Sequence, residues 1–387
     1  MDPNIDNKKI KLAWFASAFI GRNASGTAQV ARKILTNIIE NHSDEIELFL
    51  LAKNQEEIYL IQNDIVFSKQ KIILLPKVKG KFLKSSRQFY KYCLTKRRFR
   101  FDIIHFSVPR VYPFFWLLPS KNIVCTFHAA GDITAPRDFF ALSREIYNFI
   151  AKLQWKKFSA IIAVSKFAAD EISNSYKIPL KYITTIYPGV DSFWNLRDKT
   201  EEQKDQNLVL IVGRWQKYKN IHTVINAFKK YEVSVNKNLK IKVIGKSGSK
   251  DNIFILDAIK DFPTKNLEFI DYLSDLDLVR EYRRASVVFH PSINEGFGLP
   301  AFEAFSEGAR LIAHKGTPAE EILNRQPGVI FQNMLDEKQI IESYRSILNQ
   351  EYGNIEKRRA HLEAVNATWA LSTRKYLELY RNLLGIE

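Results

Sequence analysis

Short runs of β-branched and aromatic residues alternate with amphipathic helical patterns along most of this chain, and that order limits the fold more than any other feature. A strand followed by a helix and another strand pairs most simply in parallel, with the helix crossing a sheet face. In the first half, strands are expected at Ile10–Phe15, Ile46–Leu51, Ile72–Leu75, Asp102–Phe106, Asn122–Phe127, Ala160–Val164 and Ile183–Tyr187. Helical patterns such as Thr27–Glu40 and Phe139–Phe158 fall between them. The turn residues Tyr187-Pro-Gly-Val-Asp191 and the polar stretch Arg197–Asn207 then read as a linker. Alternation resumes with strands at Leu208–Val212, Lys240–Ile244, Leu267–Ile270, Val287–His290, Leu311–Ala313 and Val329–Phe331. Helices are expected at Asn220–Tyr231, Asp275–Ala285, Leu299–Ser306 and Asp336–Leu348. The architecture this predicts is α/β, with two doubly wound parallel sheets and a cleft between them. Ligands in such sheets sit beyond the carboxyl ends of the strands.

Composition narrows the partners. A chain of 387 residues that is 46% hydrophobic, 13% aromatic and 26% charged is globular, which excludes disordered, collagen-like and coiled-coil readings. Its 58 basic and 42 acidic residues leave a net charge of +16, which favours an anionic partner: nucleic acid, an anionic membrane face or phosphorylated substrates. Cys93 and Cys125 have neither disulfide-framework nor metal-site spacing and suit a reducing cytoplasm. The amino-terminal residues have no signal-peptide pattern. The most apolar stretch, Val111–Pro119, falls far short of the about 20 residues a bilayer span needs. Membrane contact, where it occurs, is expected to be peripheral.

The sharpest motif is Pro291-Ser-Ile-Asn-Glu295-Gly-Phe297-Gly298-Leu299-Pro-Ala-Phe-Glu303, where a strand enters a glycine loop and a helix begins. Glycine lets backbone approach a ligand closely, and a helix start offers free N–H groups and the positive dipole end to an anion. Pro300 fits the first helical turn. Glu295 in the loop and Glu303 one turn inside the helix can face one cavity. A plain capping loop is the bland alternative, disfavoured by two glycines and a proline set among two carboxylates. A second strand end, Val212-Gly-Arg214-Trp-Gln-Lys217-Tyr-Lys219-Asn220, places Arg214 and Lys219 at the top of the same sheet. Arginine grips phosphate oxygens at two points and lysine supplies a point charge. Taken alone this is a solvated basic loop; its place beside the glutamate loop favours phosphate binding.

Arg214 with Lys219, then PSINEGFGLPAFE with its E-x7-E spacing, resemble the family-4 retaining glycosyltransferases. Similarity extends to AVSKFAADEI, YPGVD, FIDYLSD and the terminal pattern from Trp369 to Tyr380, and so covers most of the chain. The resemblance implies the GT-B fold: two Rossmann-like domains facing an inter-domain cleft. The acceptor domain would span residues 1–195 and the nucleotide-sugar domain 196–369, with the helix of residues 370–387 packing back on the first. It implies that Glu303 bonds the donor ribose, while Glu295 and the backbone of Phe297, Gly298 and Leu299 hold the donor sugar and its phosphate. Arg214 and Lys219 would neutralise the diphosphate, and segments near Lys246 and Asp271–Leu273 would frame the base. His128, at the end of the strand NIVCTFH, would stand against the donor sugar; a structural histidine is the bland alternative. Gly26, in the loop Gly21–Thr27, suits close approach to phosphate or acceptor, although Ser25-Gly26 departs from the paired glycines usual in the family. Arg22 adds charge there or is merely exposed.

From Ile65 to Phe101 there are twelve basic residues and no acidic one. On a helix, Phe82, Ser86, Phe89, Tyr90 and Cys93 fall on one side, and Lys84, Arg87, Lys91 and Arg98 gather opposite. Such a helix suits anionic head groups or a lipid-diphosphate acceptor; a core-packed helix with a solvated basic face is the plain alternative. The expected activity is transfer of a sugar from a nucleoside diphosphate sugar to a hydroxyl of a glycan or lipid-linked glycan, in bacterial surface polysaccharide or glycolipid synthesis. It is expected to need no cofactor and no metal, since no Asp-x-Asp with ligand spacing is present, and to bind no nucleic acid. Its expected place is the cytoplasm, peripheral on the inner membrane face. Rival readings are a GT-B nucleotide-sugar epimerase, a phosphorylase, for which no pyridoxal phosphate lysine is recognisable, or a catalytically idle scaffold that binds membrane or RNA.

Overall fold

The computed structural model describes residues 9–16, 26–79, 84–95, 101–109, 118–128, 149–194, 202–232, 236–246, 252–260 and 262–386. Arg22, Arg98, most of the Gly21–Thr27 loop, Val111–Leu117 and the first part of the helix expected at Phe139–Phe158 lie outside them. The chain divides into two compact units, residues 1–189 with 369–387, and residues 190–368. The division falls before the boundary expected after residue 195, because Val190–Trp194 pack with the second unit. There Phe193 is buried and Trp194 lies under the guanidinium of Arg359, 5.4 Å from its ring centroid.

Seven parallel strands build the first sheet: β1 (Ile10–Phe15), β2 (Ile46–Ala52), β3 (Lys71–Leu74), β4 (Phe101–Phe106), β5 (Ser120–Phe127), β6 (Ala160–Ala163) and β7 (Ile183–Thr185). Their order is β3-β2-β1-β4-β5-β6-β7. A near-continuous apolar sequence marks the central strands, as a sheet covered on both faces requires. Helix α1 (Gly26–Asn41) buries Val30, Ala31, Ile34, Leu35 and Ile38, the 3.6-residue stripe that its sequence predicts. Among the described residues this unit also has α2 (Gln55–Gln62), α3 (Lys84–Thr95), helical residues 149–154, α4 (Lys166–Tyr176) and the terminal helix.

Among the described side chains of α3, Gln88 and Tyr92 are buried; those of Phe82, Ser86, Phe89 and Cys93, four of the five expected on the apolar side, lie outside the described residues. Gln88 Nε2 donates to the Lys53 carbonyl at 2.9 Å, so a polar residue is buried at little cost. Arg87 and Lys91 are exposed, and each donates to a carbonyl of the preceding segment, Lys79 and Lys77 respectively.

Six parallel strands build the second sheet: β8 (Asp205–Val212), β9 (Lys240–Ile244), β10 (Leu267–Ile270), β11 (Ala285–His290), β12 (Leu311–His314) and β13 (Val329–Gln332). The order is β10-β9-β8-β11-β12-β13, so the winding reverses between β8 and β11. Asp205–Asn207, read from sequence as the end of a linker, already belong to β8. Ala285 pairs with Asp205, and a neighbouring strand thus extends β8 beyond its apolar part. Around the sheet stand α5 (Ile221–Tyr231), α6 (Asn252–Ile259), α7 (Asp275–Arg284), α8 (Leu299–Ser306), α9 (Pro318–Leu323), α10 (Glu337–Leu348) and α11 (Ile355–Ala364). One core holds Val209, Ile241, Val287 and Phe289 of the sheet against Phe228 of α5 and Tyr344 of α10. Each such side chain contributes about 1.5–3 kcal/mol.

The last helix, α12 (Trp369–Leu384), belongs to the first unit and packs against α1. His105, buried in β4, meets the Tyr380 hydroxyl at 2.6 Å and Thr126 Oγ1 at 2.8 Å, while Tyr376 reaches Thr126 at 3.2 Å. Arg381 grips Glu45 through two bonds of 2.6 and 2.7 Å. Among the described residues, no helix is long and apolar enough to cross a membrane.

Candidate functional site

The reversal point of the second sheet brings together the two loops singled out in the sequence. Val288 and Phe289 of β11 register with Leu210 and Ile211 of β8, so the loops that follow leave side by side. Ile293 N donates to the Tyr218 carbonyl at 2.9 Å and pins one loop to the other. Asn220, buried and in the left-handed region at φ 54°, lets the first loop turn into α5; its Nδ2 donates to the Met334 carbonyl at 2.6 Å. Gly298 caps α8 at φ 90°, where an added Cβ would lie 3.0 Å from His290 Nε2. Only glycine fits that backbone without strain. Pro300 follows in the first turn, and Phe297, buried, stacks on Phe302 at 4.4 Å.

Lys219 and Glu295 form an ion pair with side chains only 16% and 12% exposed. His290, at the carboxyl end of β11, stands 3.5 Å from the same Glu295 oxygen. Burial works to raise the Glu295 pKa, but the Lys219 ammonium and His290 overcome it and hold the carboxyl below its ordinary value. Burial works equally against the Lys219 charge; Glu295 prevails and raises it, with Arg214 pulling the other way. Arg214, exposed, therefore acts on the same spot as Lys219. His290 is pushed down to about 4, first by burial and then by Lys219, so it is neutral near pH 7.

Glu303 is buried in α8 and its Oε2 accepts a hydrogen bond from the Tyr282 hydroxyl at 3.0 Å. That contact fixes one oxygen of the carboxylate expected to meet ribose. Leu299 begins α8. Gly245 N donates to Ile270 O at 2.8 Å, and the Lys246 carbonyl accepts from Trp215 N at 3.3 Å, at the ends of β9 and β8. Trp215 packs on Phe269 at 4.4 Å between ring centroids. Glu320 accepts from Gly316 N at 2.6 Å.

In the first unit, His128 follows β5, and burial brings it down to about 4 against a hydrogen bond with the Ser107 backbone. Gly26 opens α1, and a Cβ there meets nothing within 4 Å, so packing alone does not require glycine. The structure thus joins Arg214, Lys219, Glu295 and Gly298 in one place and anchors Glu303 on α8 of the same unit; His128 and Gly26 belong to the other unit. His290, Tyr282 and Tyr218 were not singled out in the sequence. His290 carried a signal, since it ends a strand that feeds the glycine loop, the same position that marked His128.

Two family models match. The one described as Glycosyl transferases group 1 covers residues 192–366, and Glycosyltransferase Family 4 covers residues 42–192. The chain belongs to the family-4 glycosyltransferases. It is 27% identical over 219 residues to the O-antigen chain mannosyltransferase RfbU of Salmonella typhimurium, a match covering 56% of this chain and 58% of that protein. The chain therefore spans less than two thirds of that relative's length. Among solved structures, sucrose-phosphate synthase of Thermosynechococcus elongatus superposes with a TM-score of 0.70 at 16% identity, covering 97% of this chain and 100% of the other. Anabaena Alr3699/HepE in complex with UDP and glucose gives 0.60 at 12% identity, covering 97% and 98%. These likenesses establish the GT-B fold for this family-4 chain.

Proposed function

We propose that the chain moves a sugar from a nucleoside diphosphate sugar to a hydroxyl of a glycan or lipid-linked glycan, with retention and without a metal, in surface polysaccharide or glycolipid synthesis. The single observation that carries this reading is the buried Lys219–Glu295 pair beside Arg214 at the reversal point of β8 and β11. A donor diphosphate competes with Glu295 for Lys219, and the carboxylate thus released turns to the sugar hydroxyls. As the bond between the anomeric carbon and the β-phosphate oxygen breaks, its electron pair stays on phosphate. Lys219, Arg214 and the amino end of α8 stabilise that charge. The acceptor oxygen bonds the anomeric carbon on the same face, and its proton passes to the departing phosphate. Glu303 takes the ribose hydroxyls while Tyr282 holds it in place. For the sugar and acceptor side, the family resemblance assigns His128, neutral near pH 7, and Gly26 of the first unit.

The Salmonella relative makes mannose the first donor sugar to test, and the UDP and glucose held by the Anabaena protein make uridine the first base. A thermal-shift panel of uridine, guanosine and thymidine diphosphates and their sugars is expected to show one strong stabiliser, since ligand at 100 times its Kd adds about 2.7 kcal/mol. Product NMR then reads the anomeric configuration. Conversion of donor without acceptor would mark an epimerase instead, and activity lost in EDTA and restored by Mn²⁺ would end the metal-free mechanism. A lipid-linked acceptor would bring the enzyme to the inner membrane face, and the basic segment that carries Lys84, Arg87, Lys91 and Arg98 has the charge to meet anionic head groups there.

A further inference from the structure

Helical residues 149–154 and the short turn Trp155–Lys157 lead into β6, and the turn Leu180–Tyr182 leads into β7. Because β6 and β7 pair in parallel, both turns lie at the amino ends of neighbouring strands. The rings of Trp155 and Tyr182 are in contact, 5.1 Å between centroids. Beside them Phe149 is 61% exposed, Leu153 64%, Leu180 50% and Tyr182 51%. One exposed apolar side chain is ordinary, but a group of them at one edge marks an interaction surface.

Charge accompanies it. Lys152, Lys156, Lys157, Lys177 and Lys181 are all exposed, and stretches 149–157 and 177–182 contain no acidic residue. Lys156 Nζ lies 5.7 Å from the Trp155 ring centroid and Lys181 Nζ 5.2 Å from that of Tyr182, so each ring has its own ammonium. Phe149 and Leu153 are one helical turn apart and share a face; Lys152 and Lys156 share the next.

We propose that this edge of the first unit is a docking surface for an anionic lipid bilayer. Trp155 and Tyr182 lie at head-group level, where amphipathic rings are favoured, and Phe149, Leu153 and Leu180 enter the acyl boundary. The lysine stems follow them while their ammonium groups stay with lipid phosphates. Each such cation multiplies partition onto an anionic surface about fivefold. Nucleic acid would use the two rings and the lysines, but it offers Leu153 and Leu180 nothing to bury them. The surface is separate in sequence from Lys84–Arg98 and does not depend on the sugar-transfer reading.

The full chain is sedimented with vesicles of phosphatidylcholine alone, or of equal parts phosphatidylcholine and phosphatidylglycerol. At least tenfold tighter binding to the anionic vesicles is expected. K152E/K156E/K181E should lose that binding at least tenfold, and L153S/L180S should lose it with all lysines in place. Brominated lipid should quench tryptophan emission, an effect mostly removed in W155F. Unchanged thermal melting establishes that the variants are folded, and the lysine variant, altered only at exposed positions, keeps the test decisive should the leucine variant not fold. Equal affinity for both vesicles overturns the proposal. So does a loss confined to R87E/K91E, or a site that takes RNA more tightly than vesicles and loses it in the lysine variant. Transfer to a soluble acceptor, measured alongside, should be the same in K152E/K156E/K181E, L153S/L180S and W155F and reports on the enzyme reading alone.

Discussion

Lys219 and Glu295 are charged at a place where neither side chain is more than 16% exposed, and each holds the other's ionisation. Removing one partner leaves the other as an uncompensated buried charge, which costs about 3–5 kcal/mol. Lys219→Met is therefore expected to lower stability in urea titration by about 3 kcal/mol, and to reduce kcat by about a hundredfold or more through lost stabilisation of the leaving phosphate. His290 titrates in the opposite sense to a salt-bridged histidine. Its folded pKa of about 4 lies below the unfolded value of 6.5, so the unfolded chain takes up the proton first as pH falls. Its contribution is complete above pH 6.5 and is lost as pH falls through about 4; it amounts to about 3 kcal/mol. Melting temperature should fall across that window, and His290→Gln should flatten the fall. A slope unchanged in the variant would assign the effect to other groups, His128 first.

Elements decide which of these residues meet. The eight residues of α8 follow Gly298, whose φ of 90° an alanine would adopt only with strain and with its Cβ 3.0 Å from His290 Nε2. Gly298→Ala should cost about 1–3 kcal/mol and raise KM for the donor, read by melting and steady-state kinetics. Helix α12 acts at longer range. Tyr380→Phe takes the hydroxyl from buried His105 and should lower stability by about 1–3 kcal/mol. The glycine-loop-to-helix junction was legible because Gly298, Leu299 and Pro300 are neighbours in sequence and their preferences are local. The burial of Gln88 in α3 was not legible: it is inside because a carbonyl from Lys53, 35 residues earlier, accepts from it.

At the scale of the molecule, the chain builds one winding twice, and its last helix returns to the first sheet. Deleting residues 369–387 removes α12 from His105, Thr126 and Glu45, so the first unit should melt earlier. Nucleoside diphosphate binding by the second unit, followed by calorimetry, should survive the deletion, and its loss would count against a site confined to residues 190–368. Every strand expected from sequence is present, and most shift by a residue or two at their ends, because a run of Val, Ile and Phe specifies a covered parallel strand without help from afar. The strand that begins in the polar stretch at Asp205 and the His290–Glu295–Lys219 cluster were decided by tertiary structure alone, and the return of α12 was expected only through the family resemblance. Lys219 and Glu295 are 76 residues apart and His105 and Tyr380 are 275 apart. Side-chain periodicity carries information over a few residues; which distant carboxylate meets which cation depends on strand order, and that order is set only when the sheet closes on its crossovers.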